Sequence, residues 1–134
     1  LNLKKNKINL FNILFKLKKN KIRTSLFINP NIKDIVIAKN IGADCIEIHT
    51  GKISNNIKSK KNYQNELNKI KKCSKFAYNL GLEVHAGHGM DYKTTLVLSK
   101  IKQINEFNIG HYLIGESIFY GLEKTIKKFK KNMR

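Results

Sequence analysis

The sequence predicts an α/β fold in which four parallel strands form half of a (β/α)8 barrel. Short apolar strands alternate with amphipathic helical patterns along the 134 residues, which is typical of parallel sheets with right-handed crossovers. The second and third predicted strands carry polar residues on the face opposite their aliphatic residues. A flat sheet covered by helices on both sides needs two apolar faces, whereas a barrel interior that opens onto a site accepts polar side chains. We therefore prefer a half barrel to a small doubly wound sheet.

The chain is predicted to begin with a helix, a strand and a second helix. Asn6 is a suitable N-cap for a helix that continues to about Asn20. Residues 24–28 follow as the first strand. In the next helix we predict Asn29 as the N-cap and Pro30 as the first helical residue, because that position needs no backbone N–H.

The middle of the chain contains the second strand, a polar segment and a long helix. Gly42 ends the preceding helix, and residues 44–50 form the strand. Residues 51–62 are polar and are predicted to be a long loop, either a mobile flap near a site or a solvated connector. An apolar stripe at helical spacing then runs over residues 63–80 until Gly81 stops it.

The third strand lies within residues 82–90, LEVHAGHGM, and breaks at a Gly-His-Gly turn. Asp91 is predicted to cap a short helix over residues 92–101. Residues 107–109 form the fourth strand, which leads directly into more helix. Gly115 is expected to separate a one-to-two-turn piece, suited to holding a phosphate, from the terminal helix.

The net charge of +18 invites a nucleic-acid interpretation. Only two of the 27 basic residues are arginine, however, and the lysines are spread along most helices together with abundant Ile and Asn. That combination is typical of an AT-rich genome, so we expect no specific nucleic-acid partner and at most weak non-specific adhesion.

The remaining composition favours a folded cytoplasmic protein. The hydrophobic fraction is 41%, and the sequence contains a single proline. No run of 18 apolar residues occurs, so we expect no membrane span. Cys45 and Cys73 lack CxxC spacing and occupy positions that are predicted to be buried, which favours reduced structural cysteines.

Three strand ends should converge on one site in such a half barrel. They are Glu47 and His49 before Gly51, His88 between Gly87 and Gly89, and Gly110-His111 after the last strand. Ligands of α/β proteins bind at the carboxyl ends of strands.

Each of these residues also has a purely structural interpretation. Glu47 could form an ordinary ion pair with a lysine, although a carboxylate that faces the barrel interior is costly unless it is paired or used. His88 could belong to a turn without function, but it is the better acid–base candidate. Gly110 could form a simple strand-to-helix turn and His111 could be solvated. Alternatively, their N–H groups could hold a phosphate at the helix start.

The motifs SLFI, IEIHTG, GLEVHAGHGM and NIGHYLIG, in this order, resemble the carboxyl-terminal half of the pyridoxine 5′-phosphate synthase family. The resemblance covers nearly the whole chain and implies a (β/α)8 barrel with additional helices that forms homo-oligomers and needs no metal or organic cofactor. It implies the condensation of 3-amino-2-oxopropyl phosphate with 1-deoxy-D-xylulose 5-phosphate, which gives pyridoxine 5′-phosphate, phosphate and water.

The resemblance also assigns residue roles. Glu47 matches the carboxylate that stabilises a transition state, and His88 matches the proton donor. The positions that bind the aminooxopropyl phosphate correspond to Gly89, Gly110 and His111. His85 stands where many relatives have asparagine.

The resemblance leaves part of the family's site unmatched. A glutamate base, a histidine base and most contacts to the deoxyxylulose phosphate come from the first four strands of the family's barrel. We therefore expect residues 1–134 to be a single partial domain that is inactive alone. Two other functions stay open at this point: a different barrel enzyme for phosphorylated small molecules, and a basic binding module without catalysis.

Overall fold

The computed structural model describes residues 6–133 and contains a four-stranded parallel sheet in the order β1-β2-β3-β4. Neighbouring strands pair in register, with Phe27 beside Glu47, Glu47 beside His85 and Gly87 beside Asn108. The predicted α/β class with four parallel strands is confirmed. The strands are β1 (Ser25–Ile28), β2 (Cys45–His49), β3 (Glu83–Gly87) and β4 (Glu106–Asn108).

Seven helices accompany the sheet in the part of the chain that the structure describes. One precedes β1, one follows β1, two follow β2, one follows β3 and two follow β4. Their order agrees with the predicted strand–helix alternation. The helices are α1 (Lys7–Lys19), α2 (Ile32–Asn40), α3 (Gly51–Lys58), α4 (Gln64–Asn79), α5 (Tyr92–Leu98), α6 (His111–Tyr120) and α7 (Leu122–Asn132).

The two faces of the sheet differ in chemistry, as the alternating pattern of each strand predicts. One face is aliphatic and fully packed: Ile46, Ile48 and Val84 are each 0% exposed and belong to the main core cluster together with Leu14 of α1. The opposite face carries Phe27 of β1 and the polar residues of β2 and β3, including Glu47. Towards the carboxyl ends this face is less buried, since Phe27 is 39% exposed and Glu47 is half-buried, so it is available for a site.

The start of α2 differs from the prediction. The N-cap is Asn31 rather than Asn29, and its side-chain oxygen accepts the backbone N–H of Lys33 at 2.9 Å. Pro30 therefore precedes the helix instead of opening it. The extended backbone of Asn31 is the usual N-cap conformation. Gly42, in the left-handed region at φ +89°, follows the end of the helix as predicted.

The predicted loop over residues 51–62 is wrong in its first two thirds. Residues 51–58 form α3, which starts immediately after β2. Ile53 and Ser54 are buried on the side of α3 that faces the protein, at 1% and 0% exposure, so the helix is amphipathic despite its polar composition. Only a short connector remains between Lys58 and α4.

The break in the final helical region lies at Gly121 and not at Gly115. Gly115 is an interior residue of the ten-residue α6. Gly121 has φ +81°, a conformation that glycine adopts readily, and it separates α6 from α7. The helix that follows the last strand is therefore longer than predicted, although it starts at His111 as expected.

Three further predictions concern caps, cysteines and membrane spans. The Asp91 carboxylate caps α5 by accepting the N–H of Thr94 at 2.8 Å. Cys45 and Cys73 are free and buried, and burial raises the pKa of both thiols. None of the helices within residues 6–133 is long and apolar enough to cross a bilayer.

The corrected N-cap of α2 generates a stability prediction. Asn31→Ala should lower the free energy of unfolding by about 1 kcal/mol, because the N–H of Lys33 loses its side-chain acceptor. Asn29→Ala, two residues earlier, is the matched control and should change the unfolding free energy by less than half as much. Urea denaturation followed by circular dichroism measures both. A larger loss for Asn29→Ala would mean that the cap is misplaced.

Candidate functional site

Five of the predicted residues line one cavity of about 680 Å³ at the carboxyl ends of the strands, whereas His49 lines a smaller cavity. Glu47 reaches it from β2, His88 and Gly89 from the turn after β3, and Gly110 and His111 from the junction of β4 with α6. The structure therefore brings together the three strand ends that the sequence predicted to converge. The other lining residues are Phe27, Lys58, Met90, Asn108, Tyr112, Gly115 and Glu116.

The Glu47 carboxylate lies across the sheet, over the end of β3. Its Oε2 accepts a hydrogen bond of 2.8 Å from the side-chain amide of Asn108 on β4. A Cβ atom at Gly87, between these two strands, would overlap Oε1 of Glu47. The missing side chain of Gly87 therefore makes room for the carboxylate. The partner that positions Glu47 is therefore a neutral amide. It is not the lysine of the ion pair that the purely structural interpretation of Glu47 assumed.

The turn that carries His88 is fixed through its backbone. His88 has φ +80° and Gly89 has φ +72°, a left-handed conformation that is unusual for a residue with a side chain. The Thr50 hydroxyl, fully buried, donates to the carbonyl groups of Gly87 at 2.7 Å and His88 at 2.8 Å. The Lys58 ammonium donates to the Gly89 carbonyl at 2.8 Å. Contacts from the two ends of α3, Thr50 at its N-cap and Lys58 at its last residue, thus hold the turn.

The start of α6 forms the opposite wall of the cavity. Gly110 is its N-cap residue and His111 its first helical residue, and both are exposed. A Cβ atom at Gly110 would meet nothing within 4 Å, so space is open directly in front of the helix. The first N–H groups of a helix have no partner within it, and the helix dipole favours an anion there. This wall can accept a phosphate group.

Sequence reasoning missed several residues of the cavity. Lys58 is the one lysine or arginine among the lining residues, and it lay within the segment that was predicted to be a loop. No local signal could have placed it, because its position depends on α3. Asn108 could have been found, since strand parity and pairing put it on the same face as Gly87 and Glu47.

His85 of β3 does not line the cavity. It is 6% exposed, with Nε2 at 2.8 Å from Glu83 and Nδ1 at 3.5 Å from Glu106. The hydrogen bond from His85, together with the ion pair to Arg23, lowers the pKa of Glu83. His85 therefore belongs to an ionic network at the amino ends of the strands.

The same network contains a group that has metal-ligand chemistry. One ligand atom from each of Cys45, Glu83 and His85 lies within 4.8 Å of the others. The Arg23 guanidinium contacts the Glu83 carboxylate and supplies the positive charge that this carboxylate needs. A cation would have to compete with Arg23, so we assign no metal to these residues.

The chain was compared with known families and curated proteins. The family model described as "Pyridoxal phosphate biosynthesis protein PdxJ" matches residues 1–134. Among curated relatives named pyridoxine 5′-phosphate synthase, the protein of Pelagibacter ubique is 63% identical over 130 residues, which is 97% of this chain and 54% of the relative.

Two further relatives with this name are also similar to most of this chain. The proteins of Blochmanniella pennsylvanica and a Sulfurihydrogenibium species are 47% and 45% identical, over 94% and 85% of this chain. The chain spans about half the length of the curated relatives that it matches. By the match of its whole length to the family model and by these identities, the chain belongs to the PdxJ family of pyridoxal phosphate biosynthesis proteins.

Proposed function

We propose that this chain takes part in pyridoxine 5′-phosphate synthesis and forms the site for 3-amino-2-oxopropyl phosphate, which condenses with 1-deoxy-D-xylulose 5-phosphate. One observation carries the proposal: Glu47, His88 and the start of α6, which come from three separate strand ends, line a single cavity. The family that the chain belongs to and the name of its relatives support the same reaction.

The phosphate of the aminoketone is proposed to bind at the start of α6. The space beside Gly110 is open, the first N–H groups of a helix have no partner within it, and the dipole of this ten-residue helix favours a dianion. Gly89 lies across the same cavity, and the Lys58 ammonium that contacts it adds positive charge. The phosphate is proposed to be held by these backbone N–H groups together with the Lys58 ammonium.

Glu47 and His88 are proposed to act on the other end of the substrate. Condensation of a primary amine with a ketone forms a C=N bond and expels the ketone oxygen as water, whose two hydrogens come in net from the amine nitrogen. Protons must therefore move from nitrogen to oxygen, and the protonated His88 ring is proposed to deliver one of them to the oxygen as a general acid. The nitrogen becomes cationic as the bond forms, and the Glu47 carboxylate, oriented by Asn108, is proposed to stabilise that charge.

We further propose that the sheet is half of a (β/α)8 barrel. β1 and β4 are its outer strands, and each has one edge that pairs with no strand among residues 6–133. Such edges are normally paired or covered, and further strands would complete both the barrel and the site for the second substrate. Residues 1–5 and 134 of the predicted domain lie outside the described residues.

The assembly and the cellular setting are proposals as well. Ile118 and Phe119 of α6 are 78% and 81% exposed, and exposed apolar residues of this size suit contact with another subunit. We propose a homo-oligomer in the cytoplasm, where the buried free thiols of Cys45 and Cys73 would stay reduced.

Replacing His88 tests the proton-donor role. Asn tolerates positive φ, so His88→Asn should keep the turn while it removes the acid. Turnover in the active form of the enzyme should fall by about two to four orders of magnitude, the usual contribution of a general acid. Binding of the aminooxopropyl phosphate, measured by isothermal titration, should weaken far less. Loss of binding with an intact single-turnover rate would show that His88 has a different role.

Gly110→Val should have the opposite effect. Its side chain would project into the open space before α6 and obstruct the phosphate, since the backbone could no longer approach it closely. The dissociation constant of the aminooxopropyl phosphate should rise by at least about tenfold, while the single-turnover rate at saturation changes little. An unchanged dissociation constant would place the phosphate elsewhere.

Gly87→Ala tests whether Glu47 must lie over β3. The added methyl group would displace a flexible carboxylate rather than backbone, so the melting temperature should change little while turnover falls at least about tenfold. Unchanged turnover in Gly87→Ala would contradict the proposed position of Glu47.

A further inference from the structure

His49 is a half-buried residue at the end of β2 that the proposed reaction does not use. Its ring stacks on the ring of His88, with centroids 4.7 Å apart and planes 26° apart. Phe27 of β1 meets the His49 ring edge-on at 5.2 Å and the His88 ring at 6.2 Å. The ring of the proposed acid therefore lies against an aromatic cluster of two other side chains.

The first residue of α3 closes this cluster. A Cβ atom at Gly51 would lie 2.7 Å from Cε1 of His49 and 3.0 Å from Cδ2 of His88. The helix backbone thus approaches both rings as closely as glycine permits. Thr50 fixes the backbone of His88, because its hydroxyl donates to the His88 carbonyl group. The His88 ring can still turn about its own side-chain bonds. Of the two ring contacts of His88, the stack with His49 is the closer, with centroids 4.7 Å apart against 6.2 Å for Phe27.

We propose that His49 is a positioning residue, whose ring holds the His88 side chain in the orientation from which it delivers its proton. The proposal rests on the proposed role of His88 as general acid and extends it to a residue to which no role has been assigned. A general acid must lie within hydrogen-bond reach of the atom that it protonates, and a displacement of about 1 Å can cost about a hundredfold in rate.

The electrostatics of the pair agree with this role. Burial, followed by the charge of His88, lowers the pKa of His49, while Glu47 on the same strand opposes that shift. These effects disfavour a proton on His49, which reduces its repulsion of a proton on its stacking partner. The charged groups that share a smaller cavity with His49 on its other side are Lys52 of α3 with Glu66 and Lys69 of α4. The 2.5 Å ion pair between Lys52 and Glu66 balances those two charges and leaves Lys69 as one net positive charge in this cavity.

Two substitutions of His49 separate ring stacking from protonation. His49→Gln keeps a polar side chain but no ring, and kcat in the active enzyme should fall about 10- to 100-fold with KM changed less than about twofold. His49→Phe restores a neutral ring and should recover most of the lost kcat. If both variants lose kcat equally, or if His49→Gln keeps the original kcat, the positioning role is refuted. Circular dichroism melting identifies variants whose loss comes from unfolding.

A titration of the histidine rings tests the contact without any turnover. In ¹H–¹⁵N spectra of ¹⁵N-labelled protein, His88→Asn should raise the pKa of His49 towards its ordinary value, because the neighbouring charge is gone. His111→Asn, on the far wall of the cavity, is the control and should leave the His49 titration unchanged. An unchanged pKa of His49 in the His88→Asn variant would contradict the stacked pair.

The two experiments distinguish the two proposals. If the His88→Asn variant keeps its turnover, the proposed role of His88 is refuted, independently of the results for the His49 variants. If His88→Asn abolishes turnover while His49→Gln keeps it, His88 is the acid and only the positioning role of His49 fails.

Discussion

The structure of the site depends on one placement, that of the Glu47 carboxylate across the end of β3. The carboxylate starts on β2, passes over Gly87 and accepts a hydrogen bond from Asn108 on β4. This requires a register in which Glu47, Gly87 and Asn108 share one face of three consecutive parallel strands. A shift of one residue in any strand would move its side chain to the aliphatic face, and the interaction would be lost.

The helices hold this placement rigidly because they begin almost directly after the strands. Thr50 follows β2 by one residue and binds the turn after β3, while Gly51 opens α3 against the histidine rings. Gly110 likewise joins β4 to α6. Side chains that are fixed by short strand-to-helix junctions lose little freedom when a substrate binds, which favours both affinity and rate. The buried aliphatic face anchors all of these junctions to one core.

Much of this arrangement could be predicted from the sequence, since alternation along β2 and β3 fixes which residues face the site. The position of His88 followed from its two flanking glycines. The N-cap of α2 was misplaced because Asn29 and Asn31 are both suitable caps, and only backbone conformation distinguishes them. α3 was missed since its few apolar residues are hidden among lysines and asparagines. The His49–His88 stack and the approach of Lys58 are tertiary contacts that no local pattern encodes.

The most direct test of the central claim is a crystal structure with 3-amino-2-oxopropyl phosphate bound. We expect the phosphate within hydrogen-bond distance of backbone N–H groups at the start of α6, near Gly110 and His111, and the amino-ketone end between the Glu47 carboxylate and the His88 ring. A substrate that binds with its phosphate next to Glu47, or outside this cavity, would contradict the proposed site.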